Sequence, residues 1–197
     1  MNHLAHALLA GDDPALRLGA MLGDFVHGQP DPALGEAVVA GIRLHRAIDV
    51  FTDAHPQVVA ARALFEPPFR RYAGIILDMW FDHCLARDFS HWAGQPLAPY
   101  SQQLRALLRH KNEQLPPALH RFLAYMEAHD LPAGYAASAQ IGRSLQGIGQ
   151  RLRRANPLHE ALPQLLARAT PLQGHFEVLF PQLQAFARDW RAEQRLP

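Results

Sequence analysis

Apolar residues recur along the chain at intervals of three and four, and alternating runs of β-branched residues are absent. The spacing therefore predicts helices throughout and no sheet. A first short helix is expected over 2–10. Asp13-Pro14 opens a second, with Asp13 as N-cap and Pro14 in the first turn, running through Leu18, Met21 and Leu22 to Gly23-Asp24. After a loop around Gly28 to Pro32, a long helix covers about 33–52 and stops before His55-Pro56. Further helices are expected over about 57–65, 69–87 and 100–112, and from Pro116-Pro117 to about 128. Another opens at Pro132 and ends among Arg151, Arg153 and Arg154; the last covers about 171–193, with Pro181 as a kink. No repeat, low-complexity run or clear linker interrupts the series. The expectation is an all-α, single-domain helical bundle over 1–197.

One segment breaks the separation of polar from apolar. Gly74 to Leu85 is apolar on nearly every side, so it reads as a buried helix, yet it contains Asp78, Asp82 and His83. Asp78 and Asp82 are four apart and share a face, whereas His83 stands about 100° around from Asp82. A buried carboxylate without a partner costs several kcal/mol, on the order of an unpaired charge in a core. Something polar, and by preference cationic, must lie opposite this face.

Composition narrows the field. The chain has 197 residues, is 49% hydrophobic and carries a formal net charge of +1, enough for one sizeable core and no gross demand for a nucleic-acid partner. The charge is uneven. Residues 1–92 hold seven Arg against eleven acids (7 − 11 = −4), and residues 93–197 hold twelve Lys and Arg against seven acids (12 − 7 = +5). Nine of the eleven Asp and seven of the twelve His lie in the acidic part. Asp and His without Cys make a ligand set for Mn, Mg, Fe or Zn, while the basic half offers a surface to an acidic partner. The single cysteine, Cys84, allows no disulfide within the chain, which fits a reducing cytosol. No signal peptide is evident and no apolar stretch is long enough to span a membrane, so the expected location is the cytoplasm.

Four clusters repeat the Asp and His theme: Asn2-His3-Leu4-Ala5-His6, Gly23-Asp24-Phe25-Val26-His27-Gly28, His45 to Asp49 continued by Thr52 to Pro56, and the central helix with Asp78, Asp82 and His83. His45, Asp49 and Thr52 fall at i, i+4 and i+7, one helical face, beside an apolar stripe of Leu44, Ile48 and Phe51. Inward-facing His and Asp on helices can build a metal site in an all-α fold. Each residue alone also reads as structural: Asp49 as a partner of Arg46 or Arg43, Asp82 as the partner of an Arg elsewhere. Asp24 is open to either reading, having no local basic partner. The clusters together favour a metal site. No G-x-S-x-G, P-loop, dinucleotide fingerprint, C-x-x-C or H-E-x-x-H occurs.

In this order the clusters resemble the acyl carrier protein phosphodiesterases. The resemblance rests on Asn2-x-Leu4-Ala5-His6, Gly23-Asp24-Phe25-Val26-x-Gly28, Gly41-Ile42-x-x-His45-Arg46-x-Ile48-Asp49-x-x-Thr52-Asp53-x-His55-Pro56 and Gly74-Ile75-x-x-Asp78-x-x-x-Asp82-His83-x-Leu85, and covers about the first 90 residues. His3 stands where an aromatic is expected, and His27 where Arg or Lys is expected. The resemblance implies a divergent relative of the HD-domain phosphohydrolases. It further implies a Mn²⁺ or Mg²⁺ enzyme that removes 4′-phosphopantetheine from a serine of holo-acyl carrier protein. His6, Asp24, His45 and Asp78 are then the expected metal ligands. Asp49, Asp82 and His83 are candidates for further ligands, water positioning or leaving-group protonation, and Arg46 for a phosphate oxygen. Arg143 with Arg151 to Arg154, and Arg62 with Arg70 and Arg71, are candidate landing surfaces for the acidic carrier. The alternatives are a phosphohydrolase acting on a nucleotide or other small phosphoester, and a non-enzymatic module whose Asp/His clusters are ion pairs.

Overall fold

The computed structural model describes residues 1–111 and 115–194. Proline and glycine cut this chain into eleven α-helices among the described residues. They are α1 (His3–Leu9), α2 (Pro14–Leu22), α3 (Glu36–Ala54), α4 (Pro56–Ala63), α5 (Ala73–Arg87), α6 (Phe89–Ala93), α7 (Leu97–His110), α8 (Pro117–Ala128), α9 (Ser138–Arg151), α10 (Ala161–Leu166) and α11 (Ala169–Glu193). No strand occurs among the described residues, as the periodicity predicts. Asp13 caps α2 as expected, its carboxylate accepting from the N–H groups of Ala15 (2.7 Å) and Leu16 (3.0 Å).

Three boundaries differ from the sequence expectation for one reason. The helices expected from 33, 69 and 132 begin instead at Glu36, Ala73 and Ser138, each after a tight 3₁₀ turn (Pro32–Leu34, Phe69–Tyr72, Ala133–Ala136). A proline marks a chain ready to turn, but the turn tightens before the α-helix starts. The short α6 is an addition. The expected end of the α7 helix at 112 lies outside the described residues. Helix α11 runs unbroken across Pro181, which is exposed.

Helix α5 is the axis. Eleven of its fifteen residues are buried, and α1, α4, α9, α10, α11 and the 133–136 turn pack around it. Phe81 of α5, Trp92 of α6 and Phe176 of α11 meet ring to ring at 5.9 Å and 5.6 Å and tie three helices together. Helices α2 and α3 approach more closely than side chains allow. A Cβ on Gly19 would stand 2.1 Å from the Val38 carbonyl oxygen, and one on Gly41 2.2 Å from that of Leu16. Two facing glycines thus let the backbones touch, and the contact sets the end of α2 against the middle of α3.

Candidate metal centre

The α2–α3 contact places the first candidate ligand. Gly23 ends α2, and a Cβ there would stand 2.2 Å from Cγ of His45. Only glycine leaves room for that imidazole. His45 Nδ1 lies 2.7 Å from the Ala20 carbonyl oxygen, which can only accept, so Nδ1 carries the proton and Nε2 is the free nitrogen. Nε2 points at two carboxylates, 3.3 Å from Asp24 Oδ1 and 3.3 Å from Asp49 Oδ2.

Helix α1 brings the second imidazole. His6 stacks on His45 with ring centroids 3.7 Å apart. Its Nε2 is 3.1 Å from Asp49 Oδ1 but out of line for a hydrogen bond, so both ring nitrogens of this buried histidine lack hydrogen-bond partners. His6, His45 and Asp49 each offer a ligand atom within 4.8 Å of the others. The imidazoles are buried, while the carboxylates of Asp24 and Asp49 are about half exposed. Together they form a pit with two nitrogens at its base and two carboxylates at its rim.

Electrostatics match a cation site. Burial pushes His6 down to about 4, with the neighbouring His45 acting in the same direction. His45 goes the other way: burial would lower it, but hydrogen bonds and the charges of Asp24 and Asp49 push it up to about 9. Burial would raise Asp24 and Asp49, but His45 in particular holds both well below the usual carboxylate range. One buried, hydrogen-bond-starved His6, one His45 aimed by its carbonyl, and two anionic carboxylates therefore fit a divalent cation with mixed nitrogen and oxygen ligands.

The comparisons with known proteins bear on the family of the chain. The family described as "Acyl carrier protein phosphodiesterase" matches residues 1–183. The chain belongs to the acyl carrier protein phosphodiesterase family. Relatives of that name include one from Serratia proteamaculans, 36% identical over 195 residues, which covers 96% of this chain and 98% of the relative. Others come from Yersinia pestis (35% identical, 93% and 95% covered) and Photorhabdus laumondii (33% identical, 93% of each covered). No solved structure matches the chain.

The other residues singled out in this family member have partners outside that group. Asp78 lies outside the His6, His45 and Asp49 group; its Oδ1 is 2.7 Å from the Met1 ammonium, the cation that the apolar helix demanded. Asp82 is fully buried and faces the start of α1, accepting from the N–H groups of Leu4 (2.8 Å), Asn2 (3.2 Å) and Ala5 (3.3 Å). Asn2 Oδ1 accepts from the His3 N–H at 2.8 Å. The first turn of α1 is thus satisfied mostly by a side chain of α5. His83 turns away: Nδ1 is 2.8 Å from the Tyr135 carbonyl oxygen and its ring rests on Trp80. Arg46 is taken by backbone, donating to the carbonyls of Val26 and Gly28 at 2.7 Å each, which closes the loop after Asp24. His3 takes the aromatic's place, its ring 4.3 Å from that of Phe122.

Two cavities open from the pit. One, of about 270 Å³, carries Asp24, Asp49, Asp53 and Asp78. The other, of about 610 Å³, runs between α8 and α9 and is walled by Phe25, Phe122, Tyr125, Tyr135 and Ile148. Asn2, Asp24, Met79 and Ile148 line both. The second cavity has no counterpart in the sequence expectations. Its signal is a pair of stripes at i, i+3, i+4 and i+7: Ala118, Arg121, Phe122 and Tyr125 on α8, and Ser144, Gly147, Ile148 and Arg151 on α9. A stripe of that kind normally reads as core.

Proposed function

We propose that this chain is a metal-dependent phosphodiester hydrolase that releases 4′-phosphopantetheine from the serine of holo-acyl carrier protein, leaving apo-carrier protein. The observation that carries the reading is the convergence of His6, His45, Asp24 and Asp49 on one point in a chain of this family. These four residues would hold the cation. Two imidazole nitrogens favour Mn²⁺ over Mg²⁺, which prefers oxygen alone. The cation supplies a Lewis acid for the phosphoryl oxygens and acidity to a water. The helix-borne His and Asp ligands agree with the HD-domain resemblance. No described helix is long and apolar enough to cross a membrane, and the reading places the enzyme with its carrier protein in the cytoplasm.

The chain's own residues bind and orient. Asp24 and Asp49 remain anionic through neutral pH and turn their open edges to the cavity, where they can position a water. Asp78, beside the Met1 ammonium, and Asp53, beside Arg62, line the same cavity. Asp82, His83 and Arg46 act as positioning residues: Asp82 fixes α1 and so His6, Arg46 fixes the loop that carries Asp24, and His83 fixes the 133–136 turn. The seryl oxygen leaves with a proton, and the hydroxyl taken from water stays on phosphorus.

The carrier protein's landing surface is basic. The Tyr72 hydroxyl donates to the Ala155 carbonyl at 3.4 Å, which joins the turn bearing Arg70 and Arg71 to the segment bearing Arg151, Arg153 and Arg154. All five arginines are exposed, and none pairs with a carboxylate among the described residues. An acidic carrier can neutralise them. Arg62 is already held by Asp53 at 2.5 Å, and Arg143 donates to Gln140 at 2.9 Å.

Incubation of holo-acyl carrier protein with the enzyme and Mn²⁺ is expected to convert it to the apo form, read by intact-protein mass spectrometry. An unchanged mass across several carrier proteins would refute the reading, and turnover of nucleotides without turnover of carrier protein would favour the small-phosphoester alternative.

Metal uptake is expected to depend on pH in a defined direction. In the metal-free protein His45 holds a proton up to about 9, whereas His6 is neutral above about 4. A cation must displace the His45 proton, so affinity rises by up to about tenfold per pH unit from pH 6 to 8. Titration calorimetry in buffers of differing ionisation enthalpy should find about one proton released per Mn²⁺ at neutral pH. Affinity flat over this range would mean that His45 is not a ligand.

A further inference from the structure

The cavity between α8 and α9 has a composition that the metal centre does not require. We propose that it is the binding cleft for the pantetheine arm, so that it, and not the carrier-protein surface alone, determines what the enzyme cleaves. This rests on the phosphodiesterase reading above.

Continuity comes first. Asn2, Asp24, Met79 and Ile148 line both cavities, so a diester whose phosphorus sits at the metal centre can extend one substituent into the cleft without leaving the site. At about 610 Å³ the space falls within the range of small-molecule sites, roughly 300–1,000 Å³. His3 stands at the junction, its Nδ1 3.7 Å from Asp24 Oδ2 and its ring stacked on Phe25 and tilted against Phe122.

The walls fit a slender chain bearing amides and a branched dimethyl carbon. Phe25, Phe122, Tyr135 and Ile148 supply apolar contact. The polar groups are oriented from behind. The buried Gln140 donates through Nε2 to the Tyr125 hydroxyl oxygen (3.2 Å) and to Ser144 Oγ (3.3 Å). Both hydroxyls therefore act as acceptors toward the protein. At 3.5 Å from each other they can share at most one weak bond, so at least one O–H is left to donate into the cleft. An amide carbonyl of the arm is the matching acceptor. A fatty acyl chain alone would leave that donor unmatched.

Gly147 shows that the space is open: a Cβ built there meets nothing within 4 Å. A large side chain can therefore be placed in the cleft from within α9, where phenylalanine is a better helix former than glycine. Ala118 on α8 lines the facing wall.

The test uses the full chain loaded with Mn²⁺, with Gly147→Phe and Ala118→Trp as variants. Free pantetheine, the arm without its phosphate, is the probe, followed by calorimetry or by its competition with holo-carrier protein. Wild type is expected to bind pantetheine. Each variant is expected to weaken that binding and to raise KM for holo-carrier protein by at least about tenfold, an effect of 1.4 kcal/mol or more, with Mn²⁺ affinity and melting temperature unchanged. Pantetheine binding and KM equal to wild type in both variants would overturn the cleft assignment. So would a loss that tracks Mn²⁺ affinity, because the effect would then come from the metal centre. A wild type that binds Mn²⁺ but leaves holo-carrier protein intact refutes the phosphodiesterase reading instead, and pantetheine binding then reports on the cleft alone.

Discussion

Asp49→Asn is expected to lower kcat/KM on holo-acyl carrier protein by at least about a thousandfold and to release the divalent cation. Removal of an outer partner of a metal ligand costs about 10–100-fold, and Asp49 stands closer in. It is the carboxylate that touches both imidazoles, with Oδ1 3.1 Å from His6 Nε2 and Oδ2 3.3 Å from His45 Nε2. Asparagine keeps the shape but turns an N–H₂ donor toward one ring nitrogen and removes the negative charge. The charge matters twice: it attracts the cation, and it is among the causes that hold His45 at about 9. Asp53→Asn is the control, one turn further along α3 in the same cavity but paired with Arg62. It should change activity by less than about tenfold, in keeping with an exposed ion pair. Metal content by plasma mass spectrometry and steady-state kinetics decide the matter. Asp49→Asn with full metal content and wild-type kcat/KM would exclude Asp49 from the centre.

The elements that carry this centre were legible because their signals are local. Asp13-Pro14 states where α2 begins, and His45 and Asp49 share a face by their spacing alone. Of the residues expected as ligands, the structure brings His6 and His45 together, with Asp24 beside His45; Asp49, expected among the further candidates, completes the group, and Asp78 does not stand with it. The difference has a physical source. Asp78 and Asp82 answer to the Met1 ammonium and to the first turn of α1, 77 to 80 residues away in sequence. No feature near position 80 records that partner. The same holds for Arg46, whose guanidinium ends on the carbonyls of Val26 and Gly28. An arginine that clamps a loop and one that clamps a phosphate look alike in sequence, since both simply carry a fork of donors. The cleft was hidden for another reason: helical stripes facing a cavity have the same periodicity as stripes facing a core, and only the open space at Gly147 separates them.

The buried carboxylate at 82 should make the largest difference to stability. Asp82→Ala removes the acceptor for three backbone N–H groups at the start of α1. Leu4 and Ala5 are fully buried, so water cannot replace it. The two buried donors, on Leu4 and Ala5, cost about 1–3 kcal/mol each once orphaned. A total of about 2–6 kcal/mol is expected, a large part of the 5–15 kcal/mol of an ordinary domain. The melting temperature should fall by about 4 °C or more at 2–4 °C per kcal/mol. Burial pushes this carboxyl up to about 7, against the pull of the Leu4 N–H and the Met1 ammonium. Its folded value therefore lies above its unfolded one. Proton binding at Asp82 favours the folded state fully below about pH 4, and that contribution is lost as pH rises through about 7. The penalty of Asp82→Ala should accordingly be larger at pH 5 than at pH 8, which urea titrations at the two values can measure. Asp82→Asn separates support from chemistry. It keeps one acceptor oxygen and should retain a reduced kcat wherever it is folded, since its effect passes through the seating of His6. A variant of wild-type stability that has lost all turnover would instead place Asp82 in the reaction itself.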